Sequence, residues 1–337
     1  MNEVAYQAEF LKGGVSQWLY VLVGGMGNKN KCCLERGGVR EMKPNYYKQT
    51  MKLVVILSLF ISDFSVLLAD DVLRIGIFPR RSVAVTTKMF TPLAEYLEEQ
   101  LGRTISIDVP PDIPAFWSRL EKGNYDLVHL NQYHYIRANA KYGWQAILKN
   151  EEFGEDNIAG ALWVIKDSDI RRIGDLRGKL IVFGGGDHAM VASIMTRDLL
   201  QQAGLSNDSY IGMATLQPLK SIISVYYKQA DAAGVADLVV KLPIIRKKID
   251  VSKLRLLAKS KSLAHLPWAI RGDMKVNEKE KIINSLLSLN DSSNGKSVLE
   301  AAGLTGIRPA LDRDYDEHRL IIKRVLDEDY ITGQRKY

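Results

Sequence analysis

From residue 72 onward the chain alternates short apolar runs with stretches of helical spacing. Val72-Leu73-Arg74-Ile75-Gly76-Ile77-Phe78 alternates and stops at Pro79, which predicts a strand. Thr91-Pro92 predicts a helix start, because proline is favoured in a first turn. Leu93, Tyr96, Leu97 and Leu101 give that helix one apolar stripe, and Gly102 ends it. Residues 104–109 predict a second strand, 116–122 a short helix, 125–130 a third strand, and a helix follows from about Tyr133. This order of elements predicts an α/β unit with a largely parallel sheet.

A second unit repeats the logic. Ala159 to Lys166 predicts a strand, and a turn over 173–179 leads into Leu180-Ile181-Val182-Phe183. Gly184-Gly185-Gly186-Asp187-His188 then enters a helix from about Ala189 to Ala203, which Gly204 ends. Residues 221–228 predict a helix, 232–236 and 255–258 strands, 265–270 a strand returning to the first unit, and 278–335 mostly helix. Two extended crossings, near 157–162 and 260–268, predict two lobes with a cleft between them, where small ligands bind preferentially. The expected lobes are 70–158 with 264–337, and 159–263.

The start of the chain changes the picture. Met51-Lys52 opens an apolar run that ends at Leu68-Ala69-Asp70. A basic start, a short apolar stretch and a small residue before a polar one predict a secretory signal peptide over 51–69, cut near Ala69. An uncleaved anchor or a first core strand are the alternatives. Residues 1–50 have no clean periodicity and predict an extension ahead of a true start at Met51 or Met42. Both cysteines, Cys32 and Cys33, lie in that extension, so the body offers no disulfide, thiolate metal site or cysteine nucleophile. No cysteine follows the apolar run, which argues for a free periplasmic protein rather than a lipoprotein.

Charge excludes little. Of 46 Lys/Arg and 39 Asp/Glu, residues 1–69 hold eight and five, leaving 38 and 34 for the rest. That mild excess is spread out, and Arg246-Lys247-Lys248 is too short for a nucleic-acid footprint.

Several segments, in order, resemble one family. Asp167-Ser168-Asp169-Ile170, Asp175-Leu176-Arg177-Gly178-Lys179 and Val182-Phe183 resemble a signature of type II periplasmic binding proteins. Gly123-Asn124-Tyr125-Asp126-Leu127-Val128 through Tyr135, and Gln229-Ala230-Asp231-Ala232-Ala233-Gly234, are similar to segments of the phosphate/phosphonate-binding proteins of ABC importers. The resemblance covers about residues 72–275. It implies a two-lobed α/β fold that closes on a small anionic solute, and a permease partner in the inner membrane.

On that resemblance the candidate ligand site joins Asn131, His134 and Tyr135 with Gly185, Gly186, Asp187, His188, Ala189 and Asp237. Glycines let main-chain amides approach an anion, and a helix start adds unpaired N–H groups and the positive end of its dipole. His188 could add a side-chain donor. Tyr135 aligns with a ligand-contacting tyrosine of the family, and Asn131 is in any case a natural N-cap. Asp237 is either at the cleft rim or a helix cap. Arg80 or Arg81 could clamp an anion, or be exposed loop charges. Trp268 could cover the cleft or pack in the core. The chain departs from the family where a Ser-Thr-Ser triplet usually opens the helix: His188, Ala189 and Met190 stand there instead.

No catalytic set is evident. There is no nucleophile elbow and no H-E-x-x-H, and His129 and His134 have no third ligand nearby in sequence. The expectation is therefore a binding protein, monomeric, without cofactor or metal. Two alternatives stand beside the importer subunit: a sensor subunit that serves a membrane kinase, and a thiamine-precursor synthase of the same fold, which would bring a cysteine-rich motif not found here.

Overall fold

The computed structural model describes residues 72–215 and 217–331. The expected leader over 51–69 and the extension before it lie outside the described residues. In chain order the elements are β1 (Leu73–Ile77), α1 (Val83–Leu101), β2 (Ile105–Asp108), α2 (Ile113–Glu121), β3 (Leu127–His129), α3 (Gln132–Tyr142), β4 (Gln145–Glu151), β5 (Asn157–Ile158) and β6 (Gly160–Ile165). Next come β7 (Leu180–Gly184), a π-helical turn (Met190–Ile194) running into α4 (Met195–Gln202), β8 (Ile211–Thr215), α5 (Pro218–Tyr226), β9 (Ala232–Ala236) and β10 (Leu254–Lys259). The chain continues with β11 (Leu263–Ala264), β12 (Pro267–Ile270), α6 (Val276–Leu287), α7 (Ser293–Ala301), β13 (Gly306–Pro309) and α8 (Asp316–Leu326).

Two sheets result. The first has the order β13-β4-β12-β3-β1-β2 and the second β10-β6-β9-β7-β8. The expected largely parallel sheets are in fact mixed. β1 runs parallel to β2 and β3, but β12 is antiparallel to β3 and β4, because the chain re-enters the first sheet only after completing the second. In the second sheet β7 is parallel to β8 and β9, while β6 runs antiparallel to β9 and β10. The short ribbon of β5 and β11 pairs the two chain crossings side by side.

Packing overrides local signals in three places. Helix α1 starts at Val83, not Thr91, and Pro92 lies inside it. Proline removes one helical hydrogen bond, yet Thr86, Phe90, Leu93 and Leu97 make one buried stripe that carries the helix through. The edge strand β8 is almost wholly exposed, so it has no apolar alternation to betray it. The strand β13 interrupts the expected C-terminal helical region and pairs with β4 through Gly306↔Glu151 to Pro309↔Leu148.

One face of the first sheet packs Leu73, Ile75, Ile77, Leu127 and Trp268 against Phe90 and Leu93. Trp268 is fully buried there and its indole donates to Asn150 Oδ1 at 2.9 Å. The other face belongs to an apolar cluster that runs on into the second half of the molecule. It joins Phe78, Tyr133, Tyr135 and Ile136 with Met190, Val191, Ile194, Met195 and Leu238.

Candidate functional site

The site is built where that shared cluster reaches the end of β3. Asn131 caps α3 by accepting from the His134 amide at 2.9 Å, and so places the Tyr133 and His134 side chains on the first turn. From the second half, the β7 turn brings His188 onto Tyr133, ring over ring at 4.7 Å and 24°. The Asn131 amide nitrogen also donates to the His188 carbonyl at 3.4 Å. Asn131, Tyr133, His134 and His188 thus meet across the two halves.

His134 is the most informative of them. It is 2% exposed and packed against Phe78 at 4.6 Å and Trp117 at 5.6 Å. Trp117 Nε1 reaches His134 Nδ1 at 3.1 Å. An indole N–H can only donate, so Nδ1 is the bare nitrogen and the proton of the neutral ring sits on Nε2. Burial, His188 and Arg137 hold the ring neutral, with a pKa lowered to about 3. Nε2 is buried and has no protein partner. His134 therefore presents a fixed N–H donor beside His188, which sits on the loop from the other half.

The glycine-rich turn works differently from its sequence expectation. Gly185 and Gly186 have φ of 84° and 83°, the left-handed region that favours glycine. That conformation turns their amides away from any ligand: both donate to the Thr215 carbonyl, at 2.7 and 3.1 Å. The Ala189 amide is likewise used, by Gly186 O at 3.1 Å. The turn is thus a clamp onto the end of β8 rather than a row of bare amides. The next residues, Met190 to Ala192, open the helical turn, where amides lack intrahelical acceptors. That turn lies close on the sheet because Gly160 and Gly234 leave room: a Cβ would stand 2.6 Å from Val191 O at Gly160 and 2.7 Å from Ala192 O at Gly234. On it, Ser193 is fully buried with a hydroxyl that has no partner.

Three more sequence candidates fall elsewhere. Tyr135 is fully buried, and its hydroxyl donates to Asp312 Oδ1 at 2.6 Å and accepts from the Ala146 amide at 3.1 Å. It points down into the core because it is one residue past His134 on α3, about 100° round the helix. Asp187 is exposed and pairs with Arg197 at 2.6 Å. Asp237 accepts from the Ala159 amide at 3.1 Å and pairs with Lys259 at 2.6 Å, which makes it a brace between β9 and the crossing strands. It lines a cavity of about 250 Å³ with Trp163, Leu256 and Lys259. Among the described residues no group of three His, Cys, Asp or Glu is placed to hold a metal. Sequence reasoning missed Tyr133 and Ser193. Tyr133 had a signal, its place in the polar run after β3; Ser193 reads as an ordinary helix residue.

Two sheets joined by paired crossings, with side chains meeting between the halves, define a binding protein of the type II periplasmic class. Residues 75–315 match the family described as "ABC transporter, phosphonate, periplasmic substrate-binding protein". The chain belongs to that family, whose members bind small solutes for a membrane permease on the periplasmic side. Solved structures agree on the fold. A binding protein component of an ABC phosphonate transporter from Pseudomonas aeruginosa is 14% identical, with a TM-score of 0.65 over 76% of this chain and 86% of that one. PhnD1 from Prochlorococcus marinus, solved with methylphosphonate, is 16% identical, with a TM-score of 0.66 over 77% and 100%. A Xanthomonas citri protein solved with ATP is 17% identical, with a TM-score of 0.66 over 76% and 98%.

Proposed function

We propose that this solute-binding protein captures a small oxyanion between its two halves, with His134 Nε2–H as a fixed donor and His188, Asn131 and the opening turn at Met190 as the other walls. The observation that carries this is the Trp117–His134 bond, which forces an unsatisfied donor toward the seam. An N–H donor in a water-poor place selects an acceptor, and a phosphonate, phosphite or phosphate oxygen is one. The neutral imidazole and the aromatic walls favour a ligand with an apolar group beside its anionic head, such as an alkylphosphonate. The two crossing strands, β5 and β11, serve as the hinge, and the ligand favours closure by binding the closed form better.

The protein acts by binding and release, without turning the ligand over. It is exported by a cleaved leader, works as a monomer and delivers its load to an inner-membrane permease. PhnD1 is solved with methylphosphonate, which makes that compound the first probe. Thermal shift with methylphosphonate, phosphite, phosphate and methanesulfonate tests the reading. A ligand at a hundredfold excess over its dissociation constant raises stability by about 2.7 kcal/mol. His134→Phe keeps the ring and removes the donor, so it is expected to abolish the shift. No response to any of these anions, or an unchanged response in His134→Phe, would refute the assignment.

A further inference from the structure

A second group of buried polar side chains gathers elsewhere on the first sheet, on its α1 face. Four neighbouring strands in the order β4-β12-β3-β1 each deliver a residue to the edge where β1, β3 and β4 end and β12 begins. Glu152 follows β4, His265 precedes β12, His129 ends β3, and Arg80-Arg81 lie between β1 and α1. The pairing is direct: His129 stands opposite Ile77 on one side and Trp268 on the other.

The two histidines carry the chemistry. His265 is fully buried, and its Nδ1 accepts from the Leu266 amide at 2.8 Å. The proton of the neutral ring is therefore on Nε2. That nitrogen has no hydrogen-bond partner, and Glu152 Oε1 stands 3.9 Å off, too far for a bond. His129 is 4% exposed, flanked by Trp268 at 4.6 Å and Phe90 at 5.7 Å, and its Nε2 is also without a partner. Arg80 and Arg81 are exposed, and among the described residues neither forms a hydrogen bond or a close ion pair. Burial and the Arg80 charge keep both imidazoles neutral at about 3, and burial raises the Glu152 carboxyl while the two guanidiniums oppose that rise.

A buried donor without a partner is costly, about 1–3 kcal/mol, so native proteins seldom keep one without a use. Here two occur together beside two unpaired guanidiniums. Guanidinium forks match phosphoryl and carboxylate oxygens. Glu152 narrows the choice, because a carboxylate repels a fully ionised anion but accepts a hydrogen bond from one that still carries a proton. We propose that this edge is a second anion position, separate from the one at His134, which takes a phosphoryl group bearing one proton: Arg80 and Arg81 hold its charge, His129 and His265 donate to its oxygens, and Glu152 accepts from its hydroxyl.

Inorganic phosphate titrated into the ¹⁵N-histidine-labelled protein tests this. Long-range ¹H–¹⁵N spectra report each Nε2 separately. The His129 and His265 signals are expected to shift on phosphate addition in the wild type and equally in His134→Phe, which silences the first position. They are expected to stay still in the double variant Arg80→Gln/Arg81→Gln, whose exposed side chains are not needed for folding, and to respond at least tenfold more weakly to sulfate, which carries no proton to give Glu152. Still signals in the wild type, an undiminished response in the double variant, or a sulfate response equal to that of phosphate would each overturn the proposal. A response confined to His134 and His188 would leave the first position standing and remove this one.

Discussion

Arg324 grips Asp198 with two parallel hydrogen bonds, Nε to Oδ1 at 2.9 Å and Nη2 to Oδ2 at 3.0 Å, and so ties α8 to α4. The carboxylate side chain is 7% exposed, and Gln202 completes its shell at 2.6 Å. Helix α8 also packs on α3, so this ion pair helps set how the helix that follows the glycine turn sits against the first half. Arg324→Met leaves a nearly buried carboxylate without its cation. Losing one partner of a buried pair costs about 3–5 kcal/mol, but Arg324 is half exposed and solvent screens part of that, so about 2 kcal/mol is expected. Urea denaturation reads this as a lower midpoint at unchanged slope. Adding Asp198→Asn should restore part of the loss, and a cycle without coupling would show that the pair does no such work.

Gly234 makes a second, sharper case. A Cβ there would stand 2.7 Å from Ala192 O, from Phe183 and from Thr196 Oγ1, and backbone cannot yield as a side-chain end does. Gly234→Ala is therefore expected to push the turn Met190–Ile194 off the sheet, at about 1–3 kcal/mol for overpacking. Because that turn forms one wall of the proposed ligand position, methylphosphonate affinity should fall as well. A stable variant with full affinity would mean that the turn is not held by this contact.

The strands and helices that bury one face were legible in the sequence, and β9 over Ala232–Ala236 matches residue for residue. The exceptions have physical causes. β8 is exposed on both faces and β13 is only four residues long, so neither carries an alternating pattern. At the site, His134, His188 and Asn131 come together because they lie on a helix start and a strand-to-helix turn, which sequence can place. The direction of a donor cannot be placed that way. It took the Thr215 carbonyl to show that the Gly185 and Gly186 amides are spent, and the Trp117 indole to show which nitrogen of His134 bears the proton.

Tyr135 separates the two kinds of evidence experimentally. Its alignment with the family points to ligand contact, whereas its hydroxyl is committed to Asp312, which Arg319 also engages at 2.5 Å. Burial and the Asp312 charge both push the phenol pKa up, so it stays a donor. Tyr135→Phe keeps the ring packing against Tyr315 and deletes only the hydroxyl. The expected result is a loss of about 1–2 kcal/mol in stability, from the Ala146 amide and Asp312 losing a partner. Methylphosphonate affinity, measured by calorimetry, is expected to stay within twofold of wild type. A tenfold weaker affinity in a stably folded variant would return Tyr135 to the site.

Acid sensitivity follows from the histidines. His129, His134, His265 and His318 all have pKa values lowered to about 3, with burial as the leading cause. The unfolded chain takes up these protons near pH 6.5, where the folded one refuses them. Folded values below unfolded ones mean that stability is complete above about pH 6.5 and falls steadily as pH drops toward 3. Between pH 7.5 and 5.5 each such histidine contributes a loss of about 1.4 kcal/mol. His318 is the one to remove, since it lies outside both proposed anion positions. It is fully buried beside Tyr315 at 5.5 Å, and neither ring nitrogen has a partner. His318→Phe deletes two unsatisfied polar atoms and orphans nothing, so it should be neutral or stabilising at pH 7.5. At pH 5.5 it should be more stable than wild type by a further 1.4 kcal/mol or so, one proton's worth. Urea midpoints at the two pH values check this, and parallel pH profiles for the two proteins would show that His318 does not titrate out of reach of solvent as its burial requires.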